Sequence, residues 1–153
     1  MECESAACDP LVQIETQLPV TRDGAGRPVV TVCKNRDCRT TQMRALWRWD
    51  DSKDQPIPSS TLASDWLGMV DGSKATISAL STGRPATSPY AVTFEFRGDT
   101  RKYKPGDVYS AEWKSMTGKV LLRVEKVVKR YDESHPGGKT CSPVTCNTKT
   151  FRE

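Results

Sequence analysis

The sequence is poor in the features that mark most nucleic-acid-binding and membrane-spanning proteins. Its 23 Lys and Arg residues are interspersed with 19 Asp and Glu residues, which leaves a formal charge of +4 and no run of like charge. Nucleic-acid binders usually show a much stronger basic patch, so we expect no nucleic-acid partner. The chain also lacks an apolar run of the roughly 20 residues that cross a bilayer. Its 153 residues predict a single domain over residues 1–153.

Groups that commonly catalyse reactions are equally scarce. His135 is the only histidine, and the chain contains neither a Gly-x-Ser-x-Gly motif nor a phosphate-binding loop. Adjacent acids occur at Asp50–Asp51 and Asp132–Glu133, but such pairs in polar turns are usually solvated, not held across a cleft. We therefore expect no enzymatic activity, no cofactor and no metal. A small enzyme that uses His135 with a nearby acid is kept as an alternative.

Short alternating segments and frequent turn residues predict an all-β protein. Ten Gly and ten Pro divide the chain into segments that are rich in Val, Thr, Ile and aromatic residues. In YAVTFEF, a strand would place four apolar side chains on one face, namely Tyr90, Val92, Phe94 and Phe96. The number of such segments predicts an antiparallel β-sandwich of about seven or eight strands.

The segment KVLLRVEKVVKRY fits both the spacing of a strand and that of a helix. Its four valines and the Thr-Gly turn that precedes it favour a strand. We therefore predict a hairpin in which MTG joins DVYSAEWKS to KVLLRVEKVVKRY. A bulge near Lys126 would place Val124 and Val127 on the same face of the second strand.

The central stretch DDSKDQPIPSSTLASDWLGMVDGS is polar and contains two prolines. We predict that residues 50–74 form a long crossover loop between the two halves of the sandwich. A short helix capped by Ser60 would run from Leu62 to Leu67 within it. Long loops often carry binding residues, but Trp66 and Leu67 are expected in the core because large aromatic residues are uncommon at the surface.

The six cysteines form three pairs that share the spacing Cys-x4-Cys. Such close pairs predict local disulfides and hence an oxidising compartment. Opposed cysteines on a hairpin bring their Cβ atoms near the roughly 3.8 Å that a disulfide requires. Zinc coordination and crossed pairings remain alternatives. The predicted pairs are Cys3–Cys8, Cys33–Cys38 and Cys141–Cys146.

The segment MRALWRWDD is the best candidate for a binding surface. On a strand, Trp47 and Trp49 share one face. The charged residues Arg44, Arg48 and Asp50 alternate with them. Tryptophan and arginine are enriched at interfaces, and an exposed tryptophan can stack on a sugar ring. A core position for the tryptophans is the alternative, since buried tryptophan is ordinary in β-sandwiches.

The carboxyl-terminal segment from DVYSAEWKS to NTKTF resembles the end of a group of small exported lipoproteins of actinobacteria, and CKNRDC resembles a cysteine-closed hairpin of the same group. The resemblance implies an immunoglobulin-like β-sandwich that is secreted or extracytoplasmic. It also implies lipid attachment at Cys3, as an alternative to pairing with Cys8. The matching carboxyl-terminal positions are Tyr131, Asp132, Pro136, Gly138, Cys141, Pro143 and Cys146.

We therefore expect a non-catalytic exported module that has a binding or structural role at a bacterial cell envelope. Its partner would be another protein or a cell-wall glycan, and it would contact a membrane only through a lipid anchor. A secreted protease inhibitor is an alternative, in which a disulfide-closed loop is presented rigidly to the enzyme. That loop, between Cys141 and Cys146, consists of Ser142, Pro143, Val144 and Thr145.

Overall fold

The computed structural model describes residues 10–81, 85–98, 102–134 and 146–153, and most of them lie in β-strands. No helix in these ranges is long and apolar enough to span a bilayer. The predicted all-β class is confirmed. The strands are β1 (Leu11–Leu18), β2 (Val29–Lys34), β3 (Asp37–Gln42), β4 (Trp47–Asp50), β5 (Gln55–Pro58), β6 (Leu62–Val70), β7 (Ser73–Ser81), β8 (Tyr90–Gly98), β9 (Asp107–Lys114), β10 (Val120–Val128), β11 (Asp132–Ser134) and β12 (Cys146–Arg152).

Two sheets pack against each other as the layers of a β-sandwich. One has six strands in the order β11-β12-β1-β8-β7-β6, and the other has four strands in the order β10-β9-β2-β3. The strands β4 and β5 form a separate hairpin. All neighbouring strands are antiparallel except β1 and β12, which run parallel. The predicted sandwich is confirmed, with more strands than the sequence predicts.

Alternation of apolar and polar residues decides which side of each strand faces the core. In β8, the side chains of Tyr90, Val92 and Phe94 are buried as predicted, and so is Phe96. The side chains between them are more exposed, and β7 and β9 show the same period. Phe96 meets Tyr109 of β9 edge to face, with ring centroids 4.9 Å apart. This contact joins the inner faces of the two sheets in one apolar core.

The central region is where the sequence prediction is wrong. A long, partly helical crossover is predicted over residues 50–74, but β5, β6 and the start of β7 lie there. Two irregularities shift β6 against β7 and interrupt its period of two. The buried residues of β6 are therefore Leu62, Leu67 and Val70, whose spacing mimics that of a helix. Trp66, which we expected in the core, is 51% exposed.

The predicted hairpin of β9 and β10 is confirmed. Its irregularity lies between Val120 and Leu122, however, and not near Lys126 as predicted. Because the strand continues regularly past Lys126, Val127 does not share a face with Val124. Val124 is buried, whereas Val127 is 49% exposed.

Candidate functional site

One predicted disulfide lies within the described residues and is confirmed. Cys33 of β2 and Cys38 of β3 are directly opposite each other in the hairpin, and their sulfur atoms are bonded. Their Cα atoms are 4.1 Å apart, which suits the closely spaced pairs of an antiparallel ladder. The other predicted pairs include residues outside the described ranges and stay predictions: Cys3–Cys8 and Cys141–Cys146.

The tryptophans of the predicted binding segment lie in or against the core. Trp47 is 1% exposed and stacks on Tyr90, with ring centroids 5.6 Å apart. Its Nε1 donates a hydrogen bond of 2.8 Å to the carbonyl oxygen of Thr21. Trp49 is partly buried against the same core, and its Nε1 donates to the carboxylate of Asp54. Trp47 thus takes the core position that was the alternative prediction.

The arginines of that segment are exposed but do not join the tryptophans in one patch. Arg48 lies between Trp47 and Trp49 on β4, so its side chain projects from the face of the strand opposite to the two tryptophans. Arg44 precedes β4, and its guanidinium lies 3.2 Å from the carboxylate of Asp65 on β6. The four residues therefore do not form a common exposed surface.

The acidic pairs singled out in the sequence do not form a cleft in the described structure. Asp50 closes the turn after β4 by accepting hydrogen bonds from Ser52, which lower the pKa of its carboxyl. Asp132 and Glu133 lie in β11 at the edge of the six-stranded sheet. In the described ranges, no group of three or more His, Cys, Asp or Glu side chains could hold a metal ion. His135 lies outside these ranges, as does the 142–145 loop, so the enzyme and inhibitor alternatives stay predictions.

The solvent side of the six-stranded sheet carries Trp66, the one strongly exposed tryptophan among the described residues. Trp66 of β6 lies opposite Thr76 of β7, and Thr76 lies opposite Glu95 of β8. Glu95 in turn lies opposite Gln13 of β1. This row of paired residues crosses four adjacent strands. We use the name Trp66 face for the surface formed by Ser64, Trp66, Lys74, Thr76, Glu95 and Arg97.

A shallow elongated groove runs across the Trp66 face. One part encloses about 160 Å³ and is lined by Lys74, Arg97 and three further residues. An adjoining part encloses about 120 Å³ and shares those three with it. The groove therefore follows β7 between its two neighbouring strands. The shared residues are Ser64, Thr76 and Glu95.

Neighbouring side chains hold the main groups of the Trp66 face. The Lys74 ammonium lies 5.4 Å from the centroid of the Trp66 ring, within the range of a cation–π contact. Gln13 donates a hydrogen bond of 2.9 Å to Glu95 Oε1. The face thus combines an aromatic ring with several hydrogen-bond donors and a carboxylate acceptor. Such a combination suits a ligand that presents both C–H surfaces and many hydroxyl groups.

A second polar cluster lies buried at one end of the sandwich, around Lys34 of β2. Its side chain is fully buried, and its ammonium donates hydrogen bonds to the carbonyl oxygens of Asp71, at 3.0 Å, and Lys102. The same nitrogen lies 4.2 Å from the centroid of the Tyr103 ring. Burial lowers the pKa of Lys34. Lys34 therefore links β2 to the turn after β6 and to the segment before β9. Because its side chain is fully buried, it does not contact a ligand.

Two tyrosines and one carboxylate extend this Lys34 cluster. Tyr131 donates a hydrogen bond of 2.6 Å to Asp107, and the hydroxyl groups of Tyr109 and Tyr131 lie 2.9 Å apart. Asp107 also accepts hydrogen bonds from the Asn35 side chain and the backbone N–H of Lys104. Burial raises the pKa of both tyrosine hydroxyls. With three donors on its carboxylate, Asp107 has its charge satisfied within the fold.

The sequence prediction missed the Trp66 face because it placed Trp66 in the core. The available signal was in β7, where Lys74, Thr76 and Ser78 alternate with buried residues and so mark a polar outer face. The position of Trp66 itself depends on the irregular pairing of β6, which has no comparable signal. Compared with known proteins, the chain matches no protein-family model, no curated protein and no solved structure.

Proposed function

We propose that this protein is a non-catalytic binding module that acts outside the cytoplasm, at a bacterial cell envelope, and contacts a cell-wall glycan through the Trp66 face. The observation that carries the proposal is the exposure of Trp66 beside a groove lined by polar side chains. Tryptophan is enriched at binding interfaces, and its large ring offers an apolar face for a ligand.

The chemistry of the Trp66 face matches that of a sugar. The face of an indole ring packs against the C–H groups of a sugar ring, while donors and acceptors around it hold the hydroxyl groups. Lys74 and Arg97 supply donors, Glu95 supplies an acceptor, and the hydroxyl groups of Ser64 and Thr76 supply both. A groove with both donors and an acceptor favours a polyhydroxylated ligand over a simple anion.

The position of the groove residues within the sheet favours binding. Thr76 and Lys74 lie on β7, which is paired on both sides with β6 and β8. Their backbone is therefore fixed before the ligand arrives. Groups that are already ordered lose less conformational entropy on binding, so a shallow groove can still hold a ligand.

The extracytoplasmic location is supported by the disulfide between Cys33 and Cys38, since disulfides persist mainly in oxidising compartments. The resemblance of the carboxyl-terminal segment to exported actinobacterial lipoproteins points the same way. Under this proposal, Cys3 is either lipidated or paired with Cys8. Peptide mass mapping of the natural chain would distinguish the two states.

Binding to purified insoluble cell-wall glycan, stripped of protein, tests the function. The fraction of protein that sediments with the glycan is measured for the wild type and for Trp66→Ala. Loss of one stacked ring is expected to weaken binding about tenfold or more, since roughly 1.4 kcal/mol corresponds to a factor of ten. Leu80→Ala is the matched control, because Leu80 is 49% exposed on the same face of β7 but lies at the end of the strand away from Lys74 and its contact with Trp66.

Each result of that assay bears on the proposal. Weak binding of Trp66→Ala with normal binding of Leu80→Ala and unchanged melting temperatures would support it. Equal binding of wild type and Trp66→Ala would exclude the Trp66 face. Binding to whole walls that disappears when wall protein is digested would replace the glycan with a protein partner.

A further inference from the structure

The strand β10 forms one edge of the four-stranded sheet. It pairs with β9 on one side, and no other described strand pairs with its second side. Its nine residues therefore present a row of backbone N–H and C=O groups that a further strand could bind. Val127 adds an apolar side chain that is 49% exposed on the outer face.

The charges on the outer face of β10 are arranged so that the strand complements itself. Arg123 lies opposite Glu112 of β9, and Glu125 lies opposite Ser110, so both point to solvent. If a second copy of β10 pairs antiparallel about a two-fold axis at Val124, Arg123 of each copy lies opposite Glu125 of the other. Opposite charges on directly paired residues stabilise a sheet.

Neighbouring registers are disfavoured by the same charges. Moving the two-fold axis from Val124 to Arg123 places this arginine opposite its own copy, and moving it to Glu125 places two carboxylates opposite each other. Like charges directly opposite each other destabilise a strand pair. Among these three registers, the charges thus favour the one with its axis at Val124.

We infer that this protein forms a symmetric dimer through β10, in which two four-stranded sheets join into one continuous sheet. The partner is a second copy of the chain, and the interface is isologous, as two-fold symmetry requires. This inference does not depend on the proposed function.

The existing ion pair of Arg123 is compatible with this interface. Arg123 already donates to the carboxylate of Glu112. A guanidinium has about five N–H groups in a planar fork, so it can bridge Glu112 on its own chain and Glu125 on the second copy. In the dimer, each arginine would therefore lie between two carboxylates in one row across the joined sheet.

The interface consists of one strand pair. Because of the irregularity between Val120 and Leu122, only Leu122–Lys126 of each copy can pair regularly about the axis at Val124. Small interfaces of this kind are typically weak, so we expect a dissociation constant in the range of about 10–100 µM. The dimer should therefore appear as a concentration-dependent equilibrium.

Sedimentation velocity between roughly 1 and 500 µM measures this equilibrium. We expect the mass to rise from that of the 17.0 kDa monomer towards twice that value. Glu125→Arg places two arginines opposite each other in both symmetric pairs of the interface, so this variant should stay monomeric. Arg123→Glu places two glutamates there and should also stay monomeric. Lys53→Glu is the matched control: Lys53 is exposed in the turn between β4 and β5, so this variant should dimerise like wild type.

A mixture of the two interface variants gives the sharpest test. Arg123→Glu carries two acids at the interface and Glu125→Arg carries two arginines, so an equimolar mixture should form a heterodimer although neither variant self-associates. Melting temperatures verify that each variant is folded, and Glu125→Arg leaves the pair between Arg123 and Glu112 intact. A wild type that stays at 17.0 kDa throughout, or variants that dimerise like wild type, would overturn the inference.

Discussion

The buried side-chain nitrogen of Lys34 is expected to stabilise the fold through its hydrogen bonds, although burial penalises its charge. Lys34→Met tests this directly. Methionine keeps most of the apolar stem but removes the nitrogen, which donates to the carbonyl oxygens of Asp71 and Lys102. These acceptors belong to the turn between β6 and β7 and to the segment before β9. The substitution therefore removes a link between three parts of the chain without creating a large cavity.

The change in the free energy of unfolding is the balance between lost interactions of the nitrogen and relief from burying its charge. Hydrogen bonds from a charged donor contribute about 1.5–3 kcal/mol each, and the contact with the Tyr103 ring adds about 1 kcal/mol or more. Against this, removing the buried ammonium relieves a desolvation cost of several kcal/mol. Both carbonyl oxygens would be left without this donor where water has poor access, so we expect a net loss of about 2–4 kcal/mol in the free energy of unfolding.

Urea unfolding of wild type and Lys34→Met at several pH values measures whether the substitution lowers the free energy of unfolding, and whether the difference depends on the charge of Lys34. Because burial lowers the pKa of Lys34 below 10.5, the unfolded chain binds the extra proton between the folded pKa and 10.5. The wild type should therefore gain stability relative to Lys34→Met as the pH rises through this window. If Lys34→Met proves as stable as wild type, or more stable, the hydrogen bonds of the Lys34 nitrogen do not offset the free energy of burying it, and the reasoning fails.

Three further predictions concern the core, the disulfide and the tyrosines. Trp47→Ala should lower the free energy of unfolding by about 3–5 kcal/mol, because Trp47 is in the core, whereas Trp66→Ala should change it by about 0.5 kcal/mol or less. Similar losses for the two variants in urea unfolding would contradict a buried Trp47 and an exposed Trp66. Reduction of Cys33–Cys38 should lower stability by about 2 kcal/mol, because the closed loop is short; intact mass before and after reduction, together with the melting temperature, checks this. Since burial raises the pKa of Tyr131 above 10.0, unfolded tyrosine loses its proton first and stability should fall as the pH rises above 10.0. Tyr131→Phe should make that fall shallower, and an identical slope would argue against the burial of this hydroxyl.

The parts of the fold that could be predicted from the sequence are those set by local patterns. The alternation in β8 predicts which residues are buried, and the turn before β10 predicts the hairpin. Likewise, the short spacing of Cys33 and Cys38 suits a cross-strand disulfide, since opposed residues of a hairpin are close in both sequence and space.

The parts that could not be predicted depend on long-range pairing. The parallel pairing of β1 with β12 joins the two ends of the described chain, and no local pattern specifies it. In β6, the irregular register moves Trp66 to the surface, although its neighbours in sequence look like those of a core residue. Trp47 shows the reverse, because it is followed by Arg48 and yet its side chain is almost completely buried.

The two proposed contact surfaces lie on different sheets and do not compete for space. Trp66 is on β6, which contacts β3, and β3 and β10 are opposite edges of the four-stranded sheet. A dimer formed through β10 would therefore leave both Trp66 faces open. A polymeric wall glycan could then contact two groove surfaces at once, and the second contact would form at a high effective concentration without any new interaction. A shallow groove and a weak interface, each insufficient alone for tight binding, would together hold the protein firmly on a repeating surface.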